Sequence, residues 1–116
     1  MQFDVLTLFP EMFETIKQSI LGRAMKKEQI HLNLVNIRDF SKDKHKKVDD
    51  TPYGGGAGMV IRPDVVYDAY TSLSDKESAK LIYLTPQGKI LDQEMVKALS
   101  KEKHLILLCG HYEGID

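Results

Sequence analysis

The chain has 116 residues, 42% hydrophobic and 28% charged, a balance that suits one soluble globular domain and argues against disorder. A formal net charge of −1 supplies no global field to drive it onto nucleic acid or an anionic membrane, so any such contact has to come from local patches. One cysteine excludes an internal disulfide, no apolar run approaches the ~20 residues of a membrane span, and no basic-then-apolar leader opens the chain, so a cytoplasmic location is expected.

Residues 2–9 (QFDVLTLF) are rich in β-formers and read as a first strand. Pro10 suits a first helical turn, with Glu11 and Glu14 near the positive end of the dipole. Phe9, Phe13, Ile16 and Ile20 recur at helical spacing, which predicts one buried face; Gly22 is expected to interrupt the helix before a second piece over 23–28. Residues 31–37 alternate polar and apolar and predict a strand with one more polar face. Residues 38–62 show no periodicity, and a connection this long inside a compact domain tends to be functional or disordered. Pro63 and Asp64 open a helix with Val66, Ala69, Tyr70 and Leu73 on one face. Residues 80–84 predict a third strand with 85–88 as its exit loop. Asp92 caps the next helix, with Leu91 and Val96 placed for a hydrophobic staple. Residues 104–108 form the last strand. This alternation predicts an α/β fold with a mainly parallel sheet and helices on both faces.

Four segments are candidates for chemistry. Gly54, Gly55, Gly56 and Gly58 let backbone amides approach a ligand closely, and Tyr53 beside them is suited to stacking on a base. No Gly-Lys-Ser/Thr follows, so this is not a phosphate loop of the nucleotide-hydrolase type, and no strand leads into it as a dinucleotide fingerprint requires. A plain surface loop accounts for it equally well. Upstream, Lys42, Lys44, His45, Lys46 and Lys47 form a basic run, read first as a solvated face and second as a phosphate-binding strip. Thr85-Pro86-Gln87-Gly88 fits an ordinary turn. Its interest lies in pairing with the second strand-exit loop, 110–116, since parallel neighbours open both loops on one sheet edge, where α/β proteins hold ligands. Glu113 lies between glycines: its carboxylate is able to accept from the adjacent N–H and amine of a guanine, and a solvated loop glutamate is the simpler alternative. His31, His45, His104 and His111 are expected at the surface, with no metal-ligand spacing among them, and Cys109 is expected as a packed small residue.

In order along the chain stand Phe9-Pro10-Glu11-Met12-Phe13, Pro52-Tyr53-Gly54-Gly55-Gly56-Ala57-Gly58-Met59, Tyr83-Leu84-Thr85-Pro86-Gln87-Gly88 and Cys109-Gly110-His111-Tyr112-Glu113-Gly114-Ile115-Asp116. Together they closely resemble the bacterial tRNA (guanine-N1)-methyltransferases, of the trefoil-knot class of S-adenosylmethionine-dependent RNA methyltransferases. The resemblance covers essentially the whole chain, and four ordered motifs are far more specific than one. It implies that Tyr83, Leu84, Thr85, Pro86, Gln87, Gly88, Gly110, Tyr112 and Gly114 line the cleft for the methyl donor, S-adenosylmethionine. It further implies that Glu113 faces the target guanine, on the 3′ side of the anticodon. It also implies that Tyr53, Gly54, Gly55, Gly56 and Gly58 help hold the flipped-out base; within the basic run, Lys44, Lys46 and Lys47 are the expected tRNA contacts. His111 stands where arginine is common in the family, and Ala57 where proline is common.

The resemblance also implies a homodimer with a shared active site; no protein-held metal and no membrane contact are expected from the histidine and cysteine spacing and the short apolar runs. By the same resemblance, residues 1–116 are expected to be the N-terminal part of the donor-binding domain. The general base, a third donor-binding loop, the completed knot and a C-terminal tRNA-gripping domain are expected beyond residue 116. Two rivals remain open: a non-catalytic RNA- or donor-binding fragment, and a nucleotide-phosphate enzyme using the glycine loop.

Overall fold

The structure, a computed structural model, describes residues 1–42, 49–50, 60–84 and 91–109. In chain order its elements are β1 (Gln2–Thr7), a 3-10 helix (Pro10–Gln18), α1 (Ile20–Lys26), β2 (His31–Asn36) and a 3-10 turn (Ile37–Phe40). There follow β3 (Asp49–Asp50), β4 (Val60–Ile61), α2 (Pro63–Thr71), a 3-10 turn (Lys76–Ser78), β5 (Lys80–Leu84), α3 (Gln93–Ser100) and β6 (His104–Cys109).

One four-stranded sheet runs in the order β2-β1-β6-β5, and every pairing in it is parallel. The two central strands are the most deeply buried. β1 is buried along its last four residues and β6 along most of its length, whereas β2 and β5 sit at the edges and stay partly exposed. A strand covered on both faces has no polar side to show, which is why β6 reads as His104-Leu105-Ile106-Leu107-Leu108 rather than as an alternation.

Period-2 geometry sends Leu6, Ile106 and Leu108 to one face, where they form the core with Val65, Ala69 and Leu73 from α2 and its exit, and with Ile37. Phe3, Val5, Leu105 and Leu107 point to the other face, under α1 and the long 3-10 helix at one end and α3 at the other. Helices therefore lie on both faces, as the alternation of elements predicts. Leu6, Ile37, Ala69 and Ile106 are fully enclosed, and truncating such a leucine or isoleucine to alanine typically costs about 2–5 kcal/mol.

Local chemistry explains the helix ends. Pro63 occupies the first turn of α2, and Arg62 forks onto Asp64 at 3.0 and 3.3 Å. Asp92 caps α3 by accepting the Met95 N–H at 2.8 Å, while Leu91 and Val96 remain 61% and 40% exposed, outside the core.

The structure departs from the expectations for its elements in four places. Residues Pro10–Gln18 wind as a 3-10 rather than an α helix, with Met12 N–H closing onto the Phe9 carbonyl at 3.1 Å; Phe9 and Phe13 are half-buried as expected, and the Ile16 and Ile20 side chains lie outside the described residues. Gly22 does not interrupt a helix: it lies inside α1 and is buried, so packing overrides its weak propensity. The helix stops at Lys26 because Glu28 turns left-handed (φ 60°), letting the Gln29 N–H reach the Ala24 carbonyl at 2.9 Å. Residues 38–62 are not wholly irregular: Ile37 anchors a 3-10 turn in the core, and β3 pairs antiparallel with β4 (Asp49 opposite Ile61, Asp50 opposite Val60). On α2 the deepest valine is Val65, with Val66 and Tyr70 packed around the cluster.

Candidate functional site

Because all four strands run the same way, their carboxyl ends share one edge of the sheet. Thr7, Asn36, Leu84 and Cys109 are the last residues of β1, β2, β5 and β6. Leu84 pairs directly with Cys109, so the chain leaves β5 and β6 from side-by-side positions about 4.8 Å apart. This is the arrangement that the proposed pairing of residues 85–88 with 110–116 requires.

Of the nine residues expected to line the donor cleft, Tyr83 and Leu84 are described. Both lie at the carboxyl end of edge strand β5 and are 38% and 48% exposed. Tyr83 is in register with Leu108 and so belongs to the α2 face; Leu84 belongs to the α3 face. Thr85, Pro86, Gln87, Gly88, Gly110, Tyr112, Gly114 and Glu113 lie outside the described residues. So do Tyr53, Gly54, Gly55, Gly56, Gly58, Lys44, Lys46 and Lys47, together with His45 and His111. β3 and β4 pair, which sets Asp50 opposite Val60, the two described residues that flank 51–59.

Beside the β5 exit a cleft of about 650 Å³ opens between α3 and the sheet, lined by Ile82, Leu84, Leu91, Met95, Leu99 and Leu107 among others. Its size suits a small ligand, but its lining is almost wholly aliphatic and offers few groups to read a nucleoside. It is the loosely packed seam of α3, which buries no residue completely.

The β1 and β2 exits are tied to each other on the same edge. Thr7 Oγ1 accepts the Phe9 N–H at 3.1 Å, and Asn36 Oδ1 accepts the Arg38 N–H at 3.0 Å. The Arg38 guanidinium then lies over the Phe9 ring, 5.6 Å from its centre.

Cys109 is half-buried, and desolvation pushes its thiol above the ordinary range, so the neutral form is favoured and nucleophilic chemistry is disfavoured. That agrees with a packed small residue. The surface expectation for His104 is overturned: it is 6% exposed, with Nε2 2.5 Å from Oδ2 of Asp4, itself 1% exposed. Asn33 Nδ2 and Gln2 Nε2 donate to the other carboxylate oxygen at 3.0 and 3.3 Å. The residue types alone do not announce this network; the signal available was a carboxylate, Asp4, inside an otherwise apolar strand. It sits toward the amino ends of the strands, away from the edge with the loops.

Among the described residues no cluster of three or more His, Cys, Asp or Glu side chains is placed to hold a metal ion, and no helix is long and apolar enough to cross a membrane.

Comparison with known proteins gives a concordant result. Residues 1–116 match the profile of the family described as tRNA (Guanine-1)-methyltransferase TrmD. A tRNA (guanine-N(1)-)-methyltransferase of Ruminiclostridium cellulolyticum is 62% identical over 119 residues, covering 100% of this chain and 51% of the relative. Proteins of the same name from Caldanaerobacter subterraneus subsp. tengcongensis and Clostridium perfringens are 58% and 57% identical, with 48% and 49% of their lengths covered. The chain thus spans about half the length of the curated relatives it matches.

Proposed function

Since the chain belongs to the tRNA (guanine-1)-methyltransferase family, we propose that the protein carrying it transfers a methyl group from S-adenosylmethionine to N1 of the guanine on the 3′ side of the tRNA anticodon. Residues 1–116 are then the N-terminal part of a trefoil-knot, donor-binding domain. The rest of the protein supplies a general base, a third donor loop and a tRNA-binding domain. A homodimeric, cytoplasmic enzyme completes the reading.

The observation that carries it is the alignment of Leu84 with Cys109. Two parallel neighbours end level, and their exit segments bear the Thr85-Pro86-Gln87-Gly88 and Gly110-His111-Tyr112-Glu113-Gly114 motifs. A crevice outside the carboxyl ends of adjacent strands is the usual ligand position in such folds. In this reading Tyr83, Leu84 and the glycines of both segments bind the donor. The donor brings an already activated methyl, so the protein's contribution is to orient the base, exclude water and remove the N1 proton. Glu113 accepts the guanine N1–H and amine, holding N1 in line. Tyr53 and the glycines 54–56 and 58 hold the flipped base, and Lys44, Lys46 and Lys47 neutralise tRNA phosphates.

The chain's span of half its relatives favours a second reading for the isolated 116 residues: a donor- or RNA-binding piece without catalysis. Two measurements separate these. The full-length protein is incubated with tRNA transcripts and methyl-labelled donor, and 1-methylguanosine next to the anticodon is sought; its absence sinks the enzymatic reading. S-adenosylhomocysteine is titrated calorimetrically into the 116-residue chain. Saturable binding supports a donor site in this half and sinks the nucleotide-phosphate alternative.

A further inference from the structure

Resting on that reading of the carboxyl edge, we propose that Arg38 is an RNA-contact residue, binding a backbone phosphate next to the target guanosine. Arg38 lies outside the donor and base motifs. Three features of its placement carry the inference.

Arg38 stands just past the end of β2, on the edge from which the β5 and β6 segments also leave. β2 and β6 are separated only by β1, so at about 4.8 Å per strand the lateral distance is roughly 10 Å. A nucleotide flanking a base held at the β6 exit falls within the reach of an arginine.

Its backbone is rigidly mounted. Asn36 caps the turn at the Arg38 N–H, the neighbouring Ile37 is fully buried, Phe40 packs on the core, and the Ser41 N–H bonds back to the Arg38 carbonyl at 3.1 Å. Phe9 fixes the head group through its ring. A cation–π contact of this kind restrains the head group without using its N–H donors as hydrogen bonds to the ring.

Among the described residues no carboxylate or carbonyl bonds the Arg38 guanidinium, whereas Arg62 is forked onto Asp64 and Lys76 reaches the Leu73 carbonyl and Glu77. A planar guanidinium mounted at a ligand edge suits a phosphate, which it can grip with two hydrogen bonds. Lys42, four residues on in the chain, is exposed and is a second cation available after β2.

The test uses the full-length protein with an unmodified tRNA substrate, in wild-type, Arg38→Gln and Arg38→Lys forms. Affinity for tRNA is measured across a salt series, and affinity for S-adenosylhomocysteine separately. Arg38→Gln is expected to weaken tRNA binding roughly tenfold and to reduce the magnitude of the log–log salt slope by about 0.7–0.9. S-adenosylhomocysteine affinity is expected to hold. Arg38→Lys is expected to keep the slope and recover part of the affinity. An unchanged slope and affinity in Arg38→Gln, in a wild type that methylates tRNA, overturns the assignment while leaving the proposed function standing. A parallel loss of S-adenosylhomocysteine affinity also overturns it, since the residue then serves the donor site or the fold. Failure of the wild type to bind or methylate any tRNA sinks the proposed function and this inference together.

Discussion

His104 and Asp4 are 100 positions apart in sequence, yet Nε2 of one lies 2.5 Å from Oδ2 of the other, between neighbouring strands and nearly out of contact with water. The same carboxylate holds Asn33 on the far side of β1, so one buried side chain links three parallel strands. Removing Asp4 strips the buried His104 Nε2 of this partner, and removing His104 leaves Asp4 Oδ2 without one although Oδ1 keeps Asn33 and Gln2; losing one partner of a buried polar pair typically costs about 1–3 kcal/mol. We expect Asp4→Leu and His104→Leu each to lower the denaturant midpoint by an amount of that order, and the double variant to cost less than their sum. Strictly additive losses in the cycle rule out the coupling.

Glu28 ends α1 in the left-handed region at φ 60° and is exposed, so its side chain strains the backbone without burying anything. Glu28→Gly is expected to stabilise the fold by roughly 0.5–1 kcal/mol. A lowered thermal midpoint would mean that the carboxylate makes a compensating contact.

Burial raises the Cys109 thiol above its ordinary value. The folded state therefore holds its proton to higher pH than the unfolded chain. The resulting stability is full below the unfolded-state value and is lost as pH rises from there through the folded one. As the sole cysteine, it can be followed cleanly by alkylation. The pH at which its rate turns upward is expected to be higher in the native protein than in the denatured one, and coincident profiles contradict the burial.

For the proposed reaction, Glu113→Ala in the full-length protein is expected to lower methyl transfer on the order of 10²-fold. S-adenosylhomocysteine affinity is expected to change far less. Comparable losses in both remove its guanine-facing role.

Much of the architecture was legible along the chain because it rests on local rules. The apolar runs of β1 and β6, Pro63 at the start of α2 and the Asp92 cap on α3 are short-range signals that tertiary packing reinforces. The ordered motifs likewise carried the family. What local rules missed was contact between distant segments. Gly22 reads as a breaker until packing encloses it, and His104 reads as a surface histidine until β6 is laid beside β1 and Asp4 meets it. Arg38 is one cation among many until the strand order brings it to the carboxyl edge and Phe9 orients it. Sequence alone determined the four strands of the main sheet, the helices α2 and α3, the parallel α/β class and the family, since propensity, periodicity and motif order are properties of neighbours in the chain. Only the tertiary structure decided the order β2-β1-β6-β5, the levelling of Leu84 with Cys109 and the buried Asp4–His104 pair. Those depend on which distant strands share hydrogen bonds, and no local pattern encodes that.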